Sequence, residues 1–242
     1  KYEPAVYYKA MAFLQLDDYE AARNQLTMLI KEKGQFMELA SEKLQVLQKL
    51  QIAAPSSAIG KSLMAIDKIS RADLAALLVE EIHVVDLANR RNPNLYGPMP
   101  ASTEREKKES EKLAASINDL DGCHLESHVR DVVRIGGMNI FPDKSFRPND
   151  KIRRMDFAIT IQQVIILVTG NRSVDTAFIG SPSPFPDVKQ SHYAYNAVSL
   201  VAERGIMTPN LQTGEFGMNE LLSGIDALLA LRKLEAILNE SS

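Results

Sequence analysis

The sequence has no tryptophan and one cysteine, Cys123, in 242 residues. A single thiol closes no internal disulfide and builds no cysteine-rich zinc site, and it leaves the redox compartment open. Surplus positive charge is missing too. Lys and Arg number 28 against 31 Asp and Glu, a formal net charge of −3, so nothing marks the clustered basic face of a nucleic-acid binder. The longest apolar stretch, FAITIQQVIILVTG (157–170), is interrupted by Gln162 and Gln163 and is too short to cross a bilayer. There is no phosphate-binding loop, no G-x-G-x-x-G run and no G-x-S-x-G nucleophile turn. Lys1 opens directly on helical pattern, so the chain reads as trimmed upstream, and a missing leader carries no information.

What remains is helix. YEPAVYYKAMAFLQL, the break DD and YEAARNQLTMLIKEKG form a predicted hairpin over residues 2–31, with Gly34 as its stop. QFMELASEKLQVLQKL (35–50) is a third amphipathic helix, with Phe36, Leu39, Ala40, Leu44, Leu47 and Leu50 in one stripe. The hairpin resembles a tetratricopeptide repeat (TPR). Ala10 and Phe13 fall where that repeat's first helix places a small residue and an aromatic, and Tyr19 and Ala22 supply the plug and small contact of its second. One repeat cannot bury its apolar face alone, so the resemblance implies the end of a longer array whose surface grips a protein partner. Beyond it, AAPSSAIGK (53–61) reads as a small-residue break and ANRRNPNLYGPMPAS (88–102) as a linker. TEREKKESEK (103–112) reads as a solvated helix and SPSPFP (181–186) as a separator.

One helix entrance is written three times: KISRADLAALLVEEI (68–82), KIRRMDFAITIQQVI (151–165) and LLSGIDALLALRKL (221–234). Ser70 with Asp73, and Ser223 with Asp226, have the spacing of a capping box. Arg153 stands at the middle cap position, so that helix is expected to start from Asn149 or Asp150 instead. Ahead of the last two entrances the order of events also repeats. An aspartate (Asp119, Asp187) is followed five residues on by a histidine (His124, His192), and then by a first helix. The aspartate is expected to cap that helix, and Gly137 or Gly205 to close it in the left-handed conformation. A turn with a buried phenylalanine, Phe146 or Phe216, leads into the second helix. The first copy lacks its opening half, or replaces it with the helix at 35–50.

ISRAD, FPDKSFRPNDKIRRMDFA and FPDVKQSHYAYNAVSLVAERGI together resemble the S-layer homology (SLH) domain family across residues 60–235. The resemblance implies three units around a pseudo-threefold axis, with grooves between prongs that bind secondary cell-wall glycan, often bearing a pyruvyl carboxylate. The family arginine falls on Arg71 and Arg154 and is replaced by Gly224. The family tryptophan falls on Leu125 and Tyr193.

The expected architecture is all-α. A TPR-like hairpin plus helix (1–52) precedes a pseudo-threefold SLH-like bundle with short loops, made of a partial first unit and linker (53–102), a second unit (103–180) and a third (181–242). The glycan-binding candidates that the resemblance implies are Arg71, Arg154, Tyr193 and Asp187. His124 and His128 share a helical face, but no third ligand or general base accompanies them, so no metal or other cofactor is expected. Asp119, Asp143, Asp156 and Asp187 sit at cap and turn positions. The reading is a non-enzymatic protein of the extracytoplasmic cell envelope, at the periplasm or cell surface or on a lipoprotein. Its partners would be a cell-wall polysaccharide or peptidoglycan-associated polymer and a protein on the TPR surface. The alternative is a protein–protein scaffold in an envelope complex, with an SLH-like fold that has lost glycan.

Overall fold

The computed structural model describes residues 2–16, 18–90 and 104–240. The chain divides into two compact units, Lys1–Ala54 and Pro55–Ser242. Among the described residues its regular secondary structure is helical, and the β-bridges are the isolated pairs Ser70–Lys151 and Arg153–Leu221.

The first unit consists of α1 (Glu3–Gln15), α2 (Tyr19–Glu32) and α3 (Met37–Ala53). Asp18 caps α2, its Oδ1 accepting from the Ala21 amide at 3.0 Å. Ala10, Ala22, Leu26, Leu29, Ala40 and Leu47 form the core, and Tyr7, Phe13, Tyr19, Phe36 and Leu44 pack around it. Two expectations are corrected here. Lys33, at φ 51°, takes the left-handed position after α2, whereas Gly34 answers a different need. A Cβ at Gly34 would lie 1.8 Å from Glu3 Oε1, and the same carboxylate accepts the Phe36 amide at 3.0 Å. Leu39 is 44% exposed and lies off the buried stripe, because Phe36, Ala40, Leu44 and Leu47 set the helical phase.

The second unit contains α4 (Ala58–Leu63), α5 (Arg71–Glu80), α6 (Val84–Arg90), α7 (Glu104–Ala115), α8 (Glu126–Arg134), α9 (Arg154–Thr169), α10 (Tyr195–Glu203) and α11 (Gly224–Glu240). A 3-10 turn covers Arg172–Asp175. The expected break at 53–61 contains the start of α4, capped by Ser57 Oγ accepting from the Gly60 amide at 2.8 Å. Residues 88–90 of the expected linker belong to α6, and 91–102 lie outside the described residues. α5 packs on α8, α9 on α10, and α11 on both α5 and α9.

The three entrances meet in a closed cycle of backbone hydrogen bonds. The Ile69 amide donates to the Leu222 carbonyl at 3.0 Å, the Leu222 amide to Ile152 at 2.9 Å, and the Ile152 amide to Ile69 at 3.0 Å. Each segment donates once and accepts once, the pattern that an approximate three-fold rotation produces. The side chains of Ile69, Ile152 and Leu222 are buried, so the cycle also satisfies amides that burial would otherwise leave stranded. A second rank repeats it: Arg71 N–H to Asp150 O (2.9 Å), Arg154 N–H to Glu220 O (2.9 Å) and Gly224 N–H to Ile66 O (2.8 Å).

Local chemistry at the entrances differs between copies. Ser70 and Asp73 form a full capping box, and Ser223 Oγ donates to Asp226 Oδ2 at 2.7 Å while accepting the Asp226 amide at 3.2 Å. The middle helix does not begin at Asn149 or Asp150. Arg153 is its cap residue, in extended backbone, and pairs with Asp156. Asp119 and Asp187 do not cap the first helices. Their oxygens reach forward to the turn before the second helix, where the amides of Phe146 and Phe216 need acceptors. Of the paired glycines in the middle copy, Gly136 (φ 77°) is left-handed and Gly137 is not, whereas Gly205 (φ 66°) behaves as expected.

Candidate functional site

Arg71 and Arg154 each reach from the first turn of a helix onto a loop of the following copy. Arg71 Nε donates to Phe146 O at 2.8 Å and Nη2 to Asn139 O at 2.9 Å. Arg154 repeats this with Phe216 O at 2.8 Å and Thr208 O at 2.9 Å. The guanidinium carbons stand 4.6 Å from the Phe146 ring centre and 4.8 Å from that of Phe216, within cation–π range. Asp119 grips the far side of the first loop through the amides of Phe146 (2.8 Å) and Arg147 (2.7 Å). Asp187 does so in the second through Phe216, Gly217 and Met218. Burial lowers the pKa of both guanidiniums, opposed chiefly by Asp156 and Asp150 around Arg71 and by Glu220 and Asp226 around Arg154. Guanidiniums stay charged under such shifts.

The third junction is sealed. A Cβ on Gly224 would fall 1.8 Å from the Leu63 carbonyl oxygen, so the end of α4 leaves no room for the arginine of the other two copies. Glu81 locks this closure. Its carboxylate is 1% exposed and accepts from the amides and hydroxyls of Ser56 and Ser57 at 2.6–3.0 Å, and from Arg232 Nη2. Burial pushes the Glu81 pKa up, but the combined Ser56 and Ser57 hydrogen bonds outweigh it and hold the group at about 2. A Cβ on Gly60 would sit 2.1 Å from Glu81 Oε1. The small residues of PSSAIG (55–60) thus make room for one buried anion.

Between the first and second copies lies a groove of about 210 Å³, lined by Arg71, Asn139, Phe141, Asp156, Thr160, Gln163 and neighbouring apolar side chains. Gln163 Nε2 donates to Gly136 O at 2.6 Å and to Asn139 Oδ1 at 3.3 Å, tying α9 to the loop opposite. Phe141 stands between two guanidiniums, Arg71 at 5.1 Å and Arg147 at 3.8 Å. Polar donors, a cation and an aromatic edge around an open cleft suit a polar, hydroxyl-rich ligand better than an apolar one.

The four candidate residues are not gathered in one place. Arg71 lines the groove; Arg154 and Asp187 hold the same loop at the next junction; Tyr193 lies at an exposed position (70%), its hydroxyl 3.7 Å from Met155 Sδ. The tryptophan position of the middle copy is also corrected. Turn hydrogen bonds pair Glu126 N–Cys123 O with Tyr195 N–His192 O, so His124, not Leu125, corresponds to Tyr193. Leu125 matches Ala194, and both are buried. The third copy carries one extra residue between its aspartate and this turn. His124 and His128 assemble no centre: among the described residues no group of three or more His, Cys, Asp or Glu is placed to hold a metal, and His128 Nε2 lies 3.0 Å from Glu80 Oε1. Asn139, Thr160 and Gln163 escaped sequence reasoning, although the two glutamines interrupting an apolar helix were a signal for a polar cleft.

Residues 127–158 and 184–217 match the S-layer homology domain. No curated protein matches the chain. The matched stretches run from α8 into the start of α9 and from Pro184 through Gly217. They contain Arg154, the Asp187 clamp and both phenylalanine turns. SLH domains are non-catalytic wall-binding modules of cell-envelope proteins, and the similarity therefore indicates a cell-surface, extracytoplasmic chain. Among the described residues no helix is long and apolar enough to cross a membrane.

Proposed function

We propose that the SLH-like unit binds cell-wall glycan in the groove beside Arg71, and that the chain is a non-enzymatic envelope protein. On this reading the TPR-like unit, held at the wall, presents a surface to a protein partner. The observation that carries the reading is the groove itself. Arg71 Nε and Nη2 are committed to carbonyls, while Nη1 has no protein acceptor among the described residues and remains for a sugar oxygen or carboxylate. The test is sedimentation with isolated wall material. The native protein pellets, and both the Arg71→Ala/Arg154→Ala double variant and Ile159→Glu stay in solution. Ile159→Glu fills the groove with a carboxylate and leaves the arginine bridges intact. Equal pelleting of all three removes the groove from the mechanism, and no pelleting of any removes the glycan.

A second reading keeps the fold and drops the glycan, leaving a protein–protein scaffold. The sealed third junction at Gly224 and Glu81 favours it, since one of three grooves is already lost to packing. Near-stoichiometric co-purification of one partner, without wall binding, selects it.

A further inference from the structure

The turn after Glu81 helps to build a second cavity. His83 takes the left-handed conformation there, at φ 52°, a region that histidine tolerates better than most side chains. Ile82 and Val84 are buried on either side of it. The His83 carbonyl accepts the Asp86 amide at 2.9 Å and the Leu87 amide at 3.1 Å, which fixes the first turn of α6. Between that turn and the end of α11 lies a cavity of about 200 Å³. This is smaller than the ~300–1,000 Å³ of sites for drug-sized molecules, and it suits a ligand the size of one residue. Ile82, Leu87 and Leu238 supply apolar lining, while Asp86 and Arg90 bring opposite charges.

Asp86 and Arg90 stand at i, i+4 on α6, acid first, the spacing and order at which a helix closes its own ion pair. Glu126 and Arg130 do close, at 2.8 Å, and Arg105 and Glu109 close in the reverse order at 3.0 Å. Asp86 and Arg90 stay apart, and neither side chain has another partner among the described residues. The other carboxylate at the cavity, Glu235, is already held by Arg232 at 2.9 Å. An open carboxylate and an open guanidinium beside one small apolar cavity are the complement of a zwitterion. We infer that this cavity binds a free α-amino acid with a branched apolar side chain. Its ammonium meets Asp86, its carboxylate meets Arg90 through charge-assisted hydrogen bonds, and its side chain lies among Ile82, Leu87 and Leu238. The last turn of α11 carries no basic residue, so the negative end of its dipole also favours the ammonium. A simple ion or an apolar molecule would leave half of these groups unused. The site shares no residue with the groove beside Arg71, so it stands apart from the glycan reading.

The experiment titrates the labelled whole chain with L-leucine and follows amide chemical shifts. Two analogues run beside it: leucinamide keeps the ammonium and lacks the carboxylate, and 4-methylpentanoate keeps the carboxylate and lacks the ammonium. Leucine is expected to move the amides of His83, Asp86, Leu87 and Asn239 to saturation, about tenfold more tightly than either analogue, with salt eroding the difference. Asp86→Asn lowers affinity for leucine and leucinamide about fivefold and leaves 4-methylpentanoate unchanged, and Arg90→Gln does the converse. Both residues are exposed, so the two variants should melt with the native protein. No saturable shift at these amides, equal affinity for the three probes, or variants that weaken all probes alike or none overturns the inference. Saturating shifts at Asn139 and Gln163 instead overturn it too. Pelleting with wall material, which reads the groove, should be the same for the native protein and both variants, and a difference there would contradict a separate site.

Discussion

Glu81→Gln tests how the helical ring is closed. The glutamate carboxylate accepts four hydrogen bonds from Ser56 and Ser57 and one from Arg232, with almost no exposure to water. Its pKa drops from an ordinary 4.5 to about 2, which by linkage corresponds to about 3 kcal/mol of folding stability. The sign follows from the depressed value. The contribution is complete above pH 4.5, declines as pH falls through about 2, and is absent below it. Glutamine keeps the shape, removes the charge and presents an amide nitrogen to donors that need acceptors. Urea unfolding of the native and Glu81→Gln proteins at pH 7, 5, 4 and 3 would measure this, with the signal of the second unit followed separately. The difference between the two should be about 3 kcal/mol and flat from pH 7 to 5, then shrink to below half by pH 3. Other carboxylates cancel in the difference. A gap under about 1 kcal/mol at pH 7, or one that does not change with pH, would refute the assignment of Glu81 as the buried lock.

Gly224→Ala should cost about 3 kcal/mol or more, because its Cβ meets the Leu63 carbonyl at 1.8 Å. Gly122→Ala, at φ 75° with open space around it, should cost only about 1 kcal/mol of left-handed strain; similar losses in chemical denaturation would contradict the packing account of the missing third arginine. Arg71→Lys should lose about 1–2 kcal/mol, since an ammonium cannot hold both the Phe146 and Asn139 carbonyls in one plane; an unchanged melting temperature would argue against the bridge. Amide exchange at Ile69, Ile152 and Leu222 should be among the slowest in the protein, and rapid exchange at any of them would break the three-fold cycle.

The recurring entrance was legible because its signals are local. Ser70 with Asp73 is a cap that sequence spacing states outright, and Ile69, Ile152 and Leu222 mark the inward turn in each copy. The all-helical class followed from the same periodicity. What the spacing could not supply was where side chains go across copies. Asp119 and Asp187 sit near a helix start, yet bind amides 27 or more residues away. Gly224 looked like the loss of a functional arginine, whereas its reason is a carbonyl from α4, a helix hidden in a small-residue stretch. The one-residue slip that pairs His124 with Tyr193 arises from a loop insertion, which motif order alone does not register. Glu81 gave no warning at all, since a glutamate that caps the end of a helix normally faces water.

The groove is tested most directly by amide chemical-shift mapping of the labelled chain during titration with solubilised wall polysaccharide. Shifts that saturate together at Asn139, Ile140, Phe141, Thr160 and Gln163, and vanish in Ile159→Glu, are the predicted result. Saturating shifts confined to residues 2–54, or a bound polymer that leaves those five amides unmoved, would contradict it.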